Sequence, residues 1–213
     1  MTLPDPPSPD SSPRPLILRG RFVELVPLGL EHVEKLATAA SGNRSTFGLT
    51  RVPDGIDDAR CYVENLLRGA ALGEHIAFTQ VRVADRQVVG CTRFMELRRW
   101  RGRTEPDEVE IGGTWLAESA QRSAINTEAK LLLLTHAFET WGVVRACFCT
   151  DVRNTQSRHA IERLGARLDG VLRNHRASMV EGEAGRARDS ALYSITDHDW
   201  PGIRTRLQRQ LDQ

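Results

Sequence analysis

The sequence predicts an α/β (α+β) protein built on one mixed sheet. Three observations carry that expectation. Apolar residues alternate with a period of two at the start of runs such as "EVEIGGTWL". They recur every three to four residues in others, such as "NTEAKLLLLTHAFETW". The two kinds of run are interleaved along the chain rather than segregated. At 213 residues, 40% hydrophobic and 27% charged, the chain is ordinary in composition and long enough to bury a sizeable core.

Residues 1–15, "MTLPDPPSPDSSPRP", are rich in Pro, Ser and Asp and read as a disordered tail. Residues 16–213 are expected to form a single domain. "LILRGRFVELVPL" reads as a strand, a kink at Gly20 and a second strand. "GLEHVEKLATAAS" brings Leu30, Val33, Leu36, Ala37 and Ala40 to one helical face. After a Gly/Asn/Pro-rich stretch, "DDARCYVENLLRGAAL" gives a second helix, with Asp57 or Asp58 expected as its cap. "HIAFTQVRV", "VVGCTRFMELR" and "VEIGGTWL" form an antiparallel meander, its last two strands joined by the charged "RWRGRTEPDE". A helix follows from about Asn126 to Trp141, with Ala129, Leu132, Leu133, Ala137, Phe138 and Trp141 on one apolar face that Leu131 and Leu134 widen. "VVRACFCTD" is nearly all apolar or small and suits the sheet interior. "NTQSRHAIERLGA" is a helix capped by Asn154 and stopped at Gly165. Two strands around the turn 181–185 and an amphipathic helix from Trp200 to Leu211 close the chain.

The formal net charge is +1, so there is no global basic field and no direct nucleic-acid binding is expected. Lys35 and Lys130 are the only lysines. The four cysteines form no Cys-x-x-Cys pair and read as reduced, mostly buried packing residues. Cys147 and Cys149 have no neighbouring His in sequence and are poor nucleophile candidates. The six histidines lack metal-ligand spacing, so no metal is expected. No secretory leader and no run of ~18 apolar residues is read, which points to a cytoplasmic protein without a membrane span.

Three stretches could carry chemistry. In "WLAESAQRSAINTEAK" a strand runs into a helix N-terminus, where unpaired amides and the helix dipole favour an anion. Small residues at Ser119, Ala120, Ser123 and Ala124 let a phosphate approach the backbone, and Arg122 adds a cation. In "EVEIGGTWL", Val109 and Ile111 face one way while Glu108 and Glu110 face the other. A carboxylate inside a covered sheet is either paired or functional. Gly112 and Gly113 mark a bulge or a close approach. In "NTQSRHAIERLGA", Asn154 and Ser157 lie near one helix start, where capping and ligand contact are both open.

These features, in this order and spacing, resemble the GNAT superfamily of acyl-CoA-dependent N-acetyltransferases. More narrowly they resemble its RimJ/RimL-type branch, which includes enzymes acetylating ribosomal-protein N-termini. The resemblance runs from about Leu16 to Trp200 and rests on "EIGGTWL", "QRSAINTEAKLLLL" and "NTQSRHAIERLGA" followed by "GVLR". It implies a splayed mixed sheet with helices on both faces. It places acetyl-CoA in the opening between the "EIGGTWL" and "RACFCTD" strands, against Thr114, Trp115 and Leu116. Gln121, Arg122, Ser123, Ala124, Ile125 and Asn126 would hold the pyrophosphate, Thr127 would bind the cofactor beside them, and Asn154 would contact the pantetheine arm. A homodimer through the C-terminal strands or helices is a habit of the family.

Two departures stand out. Ala124 and Asn126 occupy places where Gly, or Gly/Ala, is usual, and a backbone needing positive φ would strain Ala. The proton-donating Tyr of many members corresponds to Ile161, so Ser157 is the candidate donor to the leaving thiolate. Glu110 is the candidate general base, through water. The arginines of "RRWRGRTEPDE" read as a solvated charge run, and Trp100 as a stacking or rim residue. The acceptor stays open between a protein N-terminal α-amine and a small amine such as an antibiotic, polyamine or amino-acid derivative. A non-catalytic acyl-CoA-binding module is the reading from another class.

Overall fold

The computed structural model describes residues 15–180 and 182–213. The expected tail, Pro15 apart, lies outside them. Strands β1 (Leu18–Arg19) and β2 (Val23–Pro27) form the opening hairpin. A 3-10 turn leads into α1 (Val33–Ala40), and α2 (Gly55–Ala71) follows. The meander is β3 (His75–Arg82), β4 (Val88–Arg98) and β5 (Glu108–Leu116). Helix α3 (Ala124–Thr135) runs on through a π-helical turn, His136–Thr140. Then come β6 (Arg145–Asp151), α4 (Thr155–Arg163), β7 (Arg167–Ala177), β8 (Ala187–Thr196) and α5 (Trp200–Leu211).

The strands form one eight-stranded sheet in the order β1-β2-β3-β4-β5-β6-β8-β7. All neighbours are antiparallel except β5 and β6. Two cores cover the two faces, as period-two strands require. On one face Val23, Phe78, Phe94, Val109, Ile111 and Ile195 pack with Leu133 and Leu134 of α3 and Leu207 of α5. On the other, Cys91 and Trp115 pack with Leu36 of α1 and Val63 of α2.

Several expectations need correction. Helix α3 begins at Ala124 rather than Asn126, because Ser123 caps it: its Oγ accepts from the Ile125 amide at 3.3 Å. Helix α2 is entered at Asp54, and Asp58 supports the entry by accepting the Asp54 amide at 2.7 Å. Cys61 is exposed, not buried. The charged β4–β5 connection is not simply solvated. Asp107 is fully buried in it and accepts from the amides of Trp100 (2.6 Å) and Arg101 (2.8 Å) and from the Arg101 and Arg103 guanidinium groups. Burial alone would raise this carboxyl, but the amide and guanidinium donors hold it well below the usual range. Trp100 itself is exposed. No helix among the described residues is long and apolar enough to cross a membrane.

Candidate active site

The parallel pair is where the sheet opens. Strands β5 and β6 share only three rungs: Glu108 with Arg145, Val109 with Ala146 and Glu110 with Cys147. Beyond them β5 continues to Leu116 and β6 to Asp151 without pairing to each other. Their carboxyl ends therefore diverge, leaving a cleft inside the sheet.

A bulge lies on the β5 bank. Cys91 of β4 pairs with Trp115 but Arg93 with Gly112, so Gly113 and Thr114 together oppose Thr92. Gly113 has φ of 56°. The Arg93 guanidinium covers it so closely that a Cβ would sit 2.8 Å from Cζ. Glycine meets both demands without backbone strain and without displacing the guanidinium. The doubled glycine in the sequence thus marks a bulge.

Glu110 is buried beside this bulge on the α1/α2 face. Arg176 of β7 grips it with two bonds, Nη1 to Oε1 at 3.0 Å and Nη2 to Oε2 at 2.7 Å. In sheet order β7 stands three strands away from β5. The β7–β8 hairpin must therefore curl over the sheet face to bring Arg176 there. The same curl sets His175 Nδ1 3.7 Å from Cys149 Sγ. Cys149 thus has a histidine neighbour in space, although neither cysteine has one in sequence. Burial, and next the Glu110 charge, raise the Cys149 thiol, while burial lowers His175. Burial pushes Cys147 up to about 12. Both groups favour the protonated thiol, which is the weaker nucleophile.

At the carboxyl end of β5 the chain makes a 3-10 turn, Glu118–Ala120, and enters α3. Gln121 braces the turn from inside, its Nε2 donating to Leu116 O at 3.0 Å and Thr46 Oγ1 at 3.1 Å. Positive φ falls on Arg122, at 56°, and not on Ala124 or Asn126, which are already helical. The strain foreseen at Ala124 does not arise. Ile125 is buried in the core, Asn126 and Thr127 are half-buried, and the first-turn amides of α3 point out of the helix end. Trp115 and Leu116 are also core side chains, so a ligand in the cleft would meet them through their backbone.

Across the opening, β6 ends at Asp151 and α4 begins at Thr155. Asn154 caps it by accepting the Ser157 amide at 3.0 Å, so capping is settled and its side-chain amide remains for other work. The Ser157 side chain is half-buried at the same helix start. Ile161 packs into the core and supplies no hydroxyl.

Sequence reasoning missed four side chains here: Arg93, Lys130, His175 and Arg176. Three depend on strand curl or close approach and left no local signal. Lys130 did leave one, because it stands three and four residues before Leu133 and Leu134 on the apolar stripe of α3. It is 5% exposed, and its Nζ meets Thr114 Oγ1 at 2.5 Å and Thr92 Oγ1 at 3.2 Å.

A cleft between parallel strands, a bulge on one bank and a helix N-terminus at its end coincide with what comparison with known proteins finds. The family model for the acetyltransferase (GNAT) domain matches residues 23–167, more than half of the chain. The chain belongs to the GNAT acetyltransferase family. A solved relative, a GCN5-related N-acetyltransferase from Brucella melitensis, is 26% identical over 93% of this chain and 86% of its own, with a TM-score of 0.78. Mycobacterium smegmatis RimJ, solved with CoA-disulfide, shares the fold at 21% identity and a TM-score of 0.72, covering 92% of this chain and 93% of its own. Among curated proteins, the "Putative ribosomal N-acetyltransferase YdaF" of Bacillus subtilis (strain 168) is 33% identical over 95 residues, 45% of this GNAT chain. The chain spans about half the length of that protein, 49%. The RimJ/RimL-type resemblance read from the sequence agrees with the names of RimJ and of the putative ribosomal N-acetyltransferase YdaF.

Proposed function

We propose that this GNAT protein, as a single domain over residues 16–213, transfers the acetyl group of acetyl-CoA directly to a primary amine in the cytoplasm. The observation that carries the reading is the β5–β6 cleft, with a bulge on one bank and the capped start of α3 at its mouth. The first-turn amides of α3, with Gln121 and Arg122 beside them, suit the pyrophosphate. The backbone of Thr114, Trp115 and Leu116 suits the pantetheine arm, met from the other bank by the Asn154 side-chain amide. A bulge amide near Gly113 takes the carbonyl oxygen as charge develops on it.

In this mechanism the amine nitrogen attacks the thioester carbonyl carbon. A C–N bond forms, the C–S bond breaks, and Ser157 hydrogen-bonds the leaving thiolate or gives it a proton that solvent then returns to the hydroxyl. The amine proton leaves through water toward Glu110. Each Glu110 oxygen accepts one hydrogen bond from Arg176 and keeps a second lone pair for that water. Glu110→Gln is expected to lower kcat by about 10²-fold, with acetyl-CoA affinity little changed. Unchanged turnover at every pH removes Glu110 from the mechanism, and intact turnover in Ser157→Ala removes the proton donor.

The acceptor we favour is a protein N-terminal α-amine, as the names of YdaF and RimJ prompt. Such an amine titrates near ~8 and is partly neutral without help, whereas a lysine at ~10.4 is not. A thiol-release assay against N-terminal peptides and small amines decides between the acceptor classes. Acetyl-CoA binding without CoA release for any amine would instead make the protein a non-catalytic acyl-CoA-binding module. A melting temperature unmoved by millimolar acetyl-CoA would sink the co-substrate assignment itself.

A further inference from the structure

We propose that Lys130 is a positioning residue for acetyl transfer, fixing from the α3 face the bulge that receives the thioester carbonyl. The proposal rests on the transfer reading above. Helix α3 lies on the face of the sheet opposite Glu110, and Lys130 reaches from it into the bulge. Its Nζ lies 2.5 Å from Thr114 Oγ1 and 3.2 Å from Thr92 Oγ1, and those two hydroxyls are 2.8 Å apart. Thr92 is the single residue opposed by Gly113 and Thr114, so the triangle of polar atoms closes where the β4–β5 ladder is interrupted. From the other face, Arg93 covers Gly113. The bulge is held from both sides, and a change at Nζ passes through Thr114 to the peptide groups that face the cleft.

Packing alone does not account for a lysine here. Among the described residues no carboxylate pairs with it, and an apolar side chain would bury without the cost of an unpaired amine. Burial pushes its pKa down to about 7, and no charged side chain contributes to that shift. What the amine supplies is direction: it orients the Thr114 hydroxyl, which a methylene chain cannot do.

The test compares wild type with Lys130→Met, Thr114→Val and the double variant. Each single change is expected to lower kcat by about tenfold, with acceptor KM and acetyl-CoA affinity within about twofold. The double variant is expected to fall no further than the worse single one, because both cut the same link. An ionisation near neutral pH in the wild-type kcat profile is expected to vanish in Lys130→Met. Wild-type kcat and pH profile in the variants overturns the proposal, as does a change confined to melting temperature. Should Lys130→Met fail to fold, Thr114→Val carries the same test with the lysine in place. A wild-type protein that binds acetyl-CoA and acetylates no amine overturns the transfer reading, and this proposal with it. Active wild type with equally active variants overturns this proposal alone.

Discussion

An amine closed off from water titrates against its burial, and Lys130 makes that measurable. Its folded pKa of about 7 lies below the unfolded value near ~10.4. Below pH 7 both states hold the proton and the folded state bears the whole burial penalty. As pH climbs from 7 toward ~10, the unfolded chain binds more protons than the folded one, so stability rises. Denaturant unfolding at pH 6.5, 8 and 9.5 should show wild type gaining on Lys130→Met by up to about 1.4 kcal/mol per pH unit. A difference that stays flat with pH means the amine is hydrated or paired. At this scale the sequence revealed residues whose role is local. Gly113, Asn154 and the inward Val109 and Ile111 were all placed by spacing alone. Glu110 was recognisable as an anomaly, but its partner was not. Arg176 is 66 residues away in sequence and reaches it only because the last hairpin curls.

Among the elements, α3 does two jobs with two successive turns. Its first turn follows the carboxyl end of β5, while Glu128, in the next turn, accepts from the amides of Arg21 (2.8 Å), Phe22 (2.6 Å) and Val23 (2.8 Å). One carboxylate thus ties the turn of the first hairpin to the helix. Glu128→Ala leaves three amides to find water, at a cost of about 2 kcal/mol or more. Hydrogen exchange is expected to quicken across residues 18–27 while the β3–β5 meander holds its protection; uniform quickening rejects the tether. The apolar face of this helix was readable from the sequence, since its three-to-four residue spacing survives the π-helical turn at His136–Thr140. The start of the helix was not. Ser123 reads equally well as a small residue in a loop and as a cap, and only its bond to the Ile125 amide decides.

For the whole molecule, the order of elements along the chain was accessible to pattern, and the order across the sheet was not. Nothing in the periodicity of β7 and β8 says that β8 inserts beside β6 while β7 takes the edge, because that choice is made by long-range packing. The cleft was foreseen through resemblance to a family, not from spacing. It divides the sheet into β1–β5 and β6–β8, joined by three rungs. Acetyl-CoA lodged there should slow exchange at amides on both banks, Gly113–Leu116 and Cys149–Asp151. Protection confined to one bank places the ligand elsewhere. A sheet so divided carries two borders in its interior, each a row of peptide groups with no neighbouring strand to answer them. The pantetheine arm of acetyl-CoA bears amides of its own and can serve as the absent strand. On the proposed reading the co-substrate is then part of what holds the fold closed, and each tenfold rise in its concentration above Kd adds about 1.4 kcal/mol to stability. Survival against proteases inside the cell would then follow the supply of activated acetate, tying the amount of this protein to the metabolite that the proposed reaction consumes.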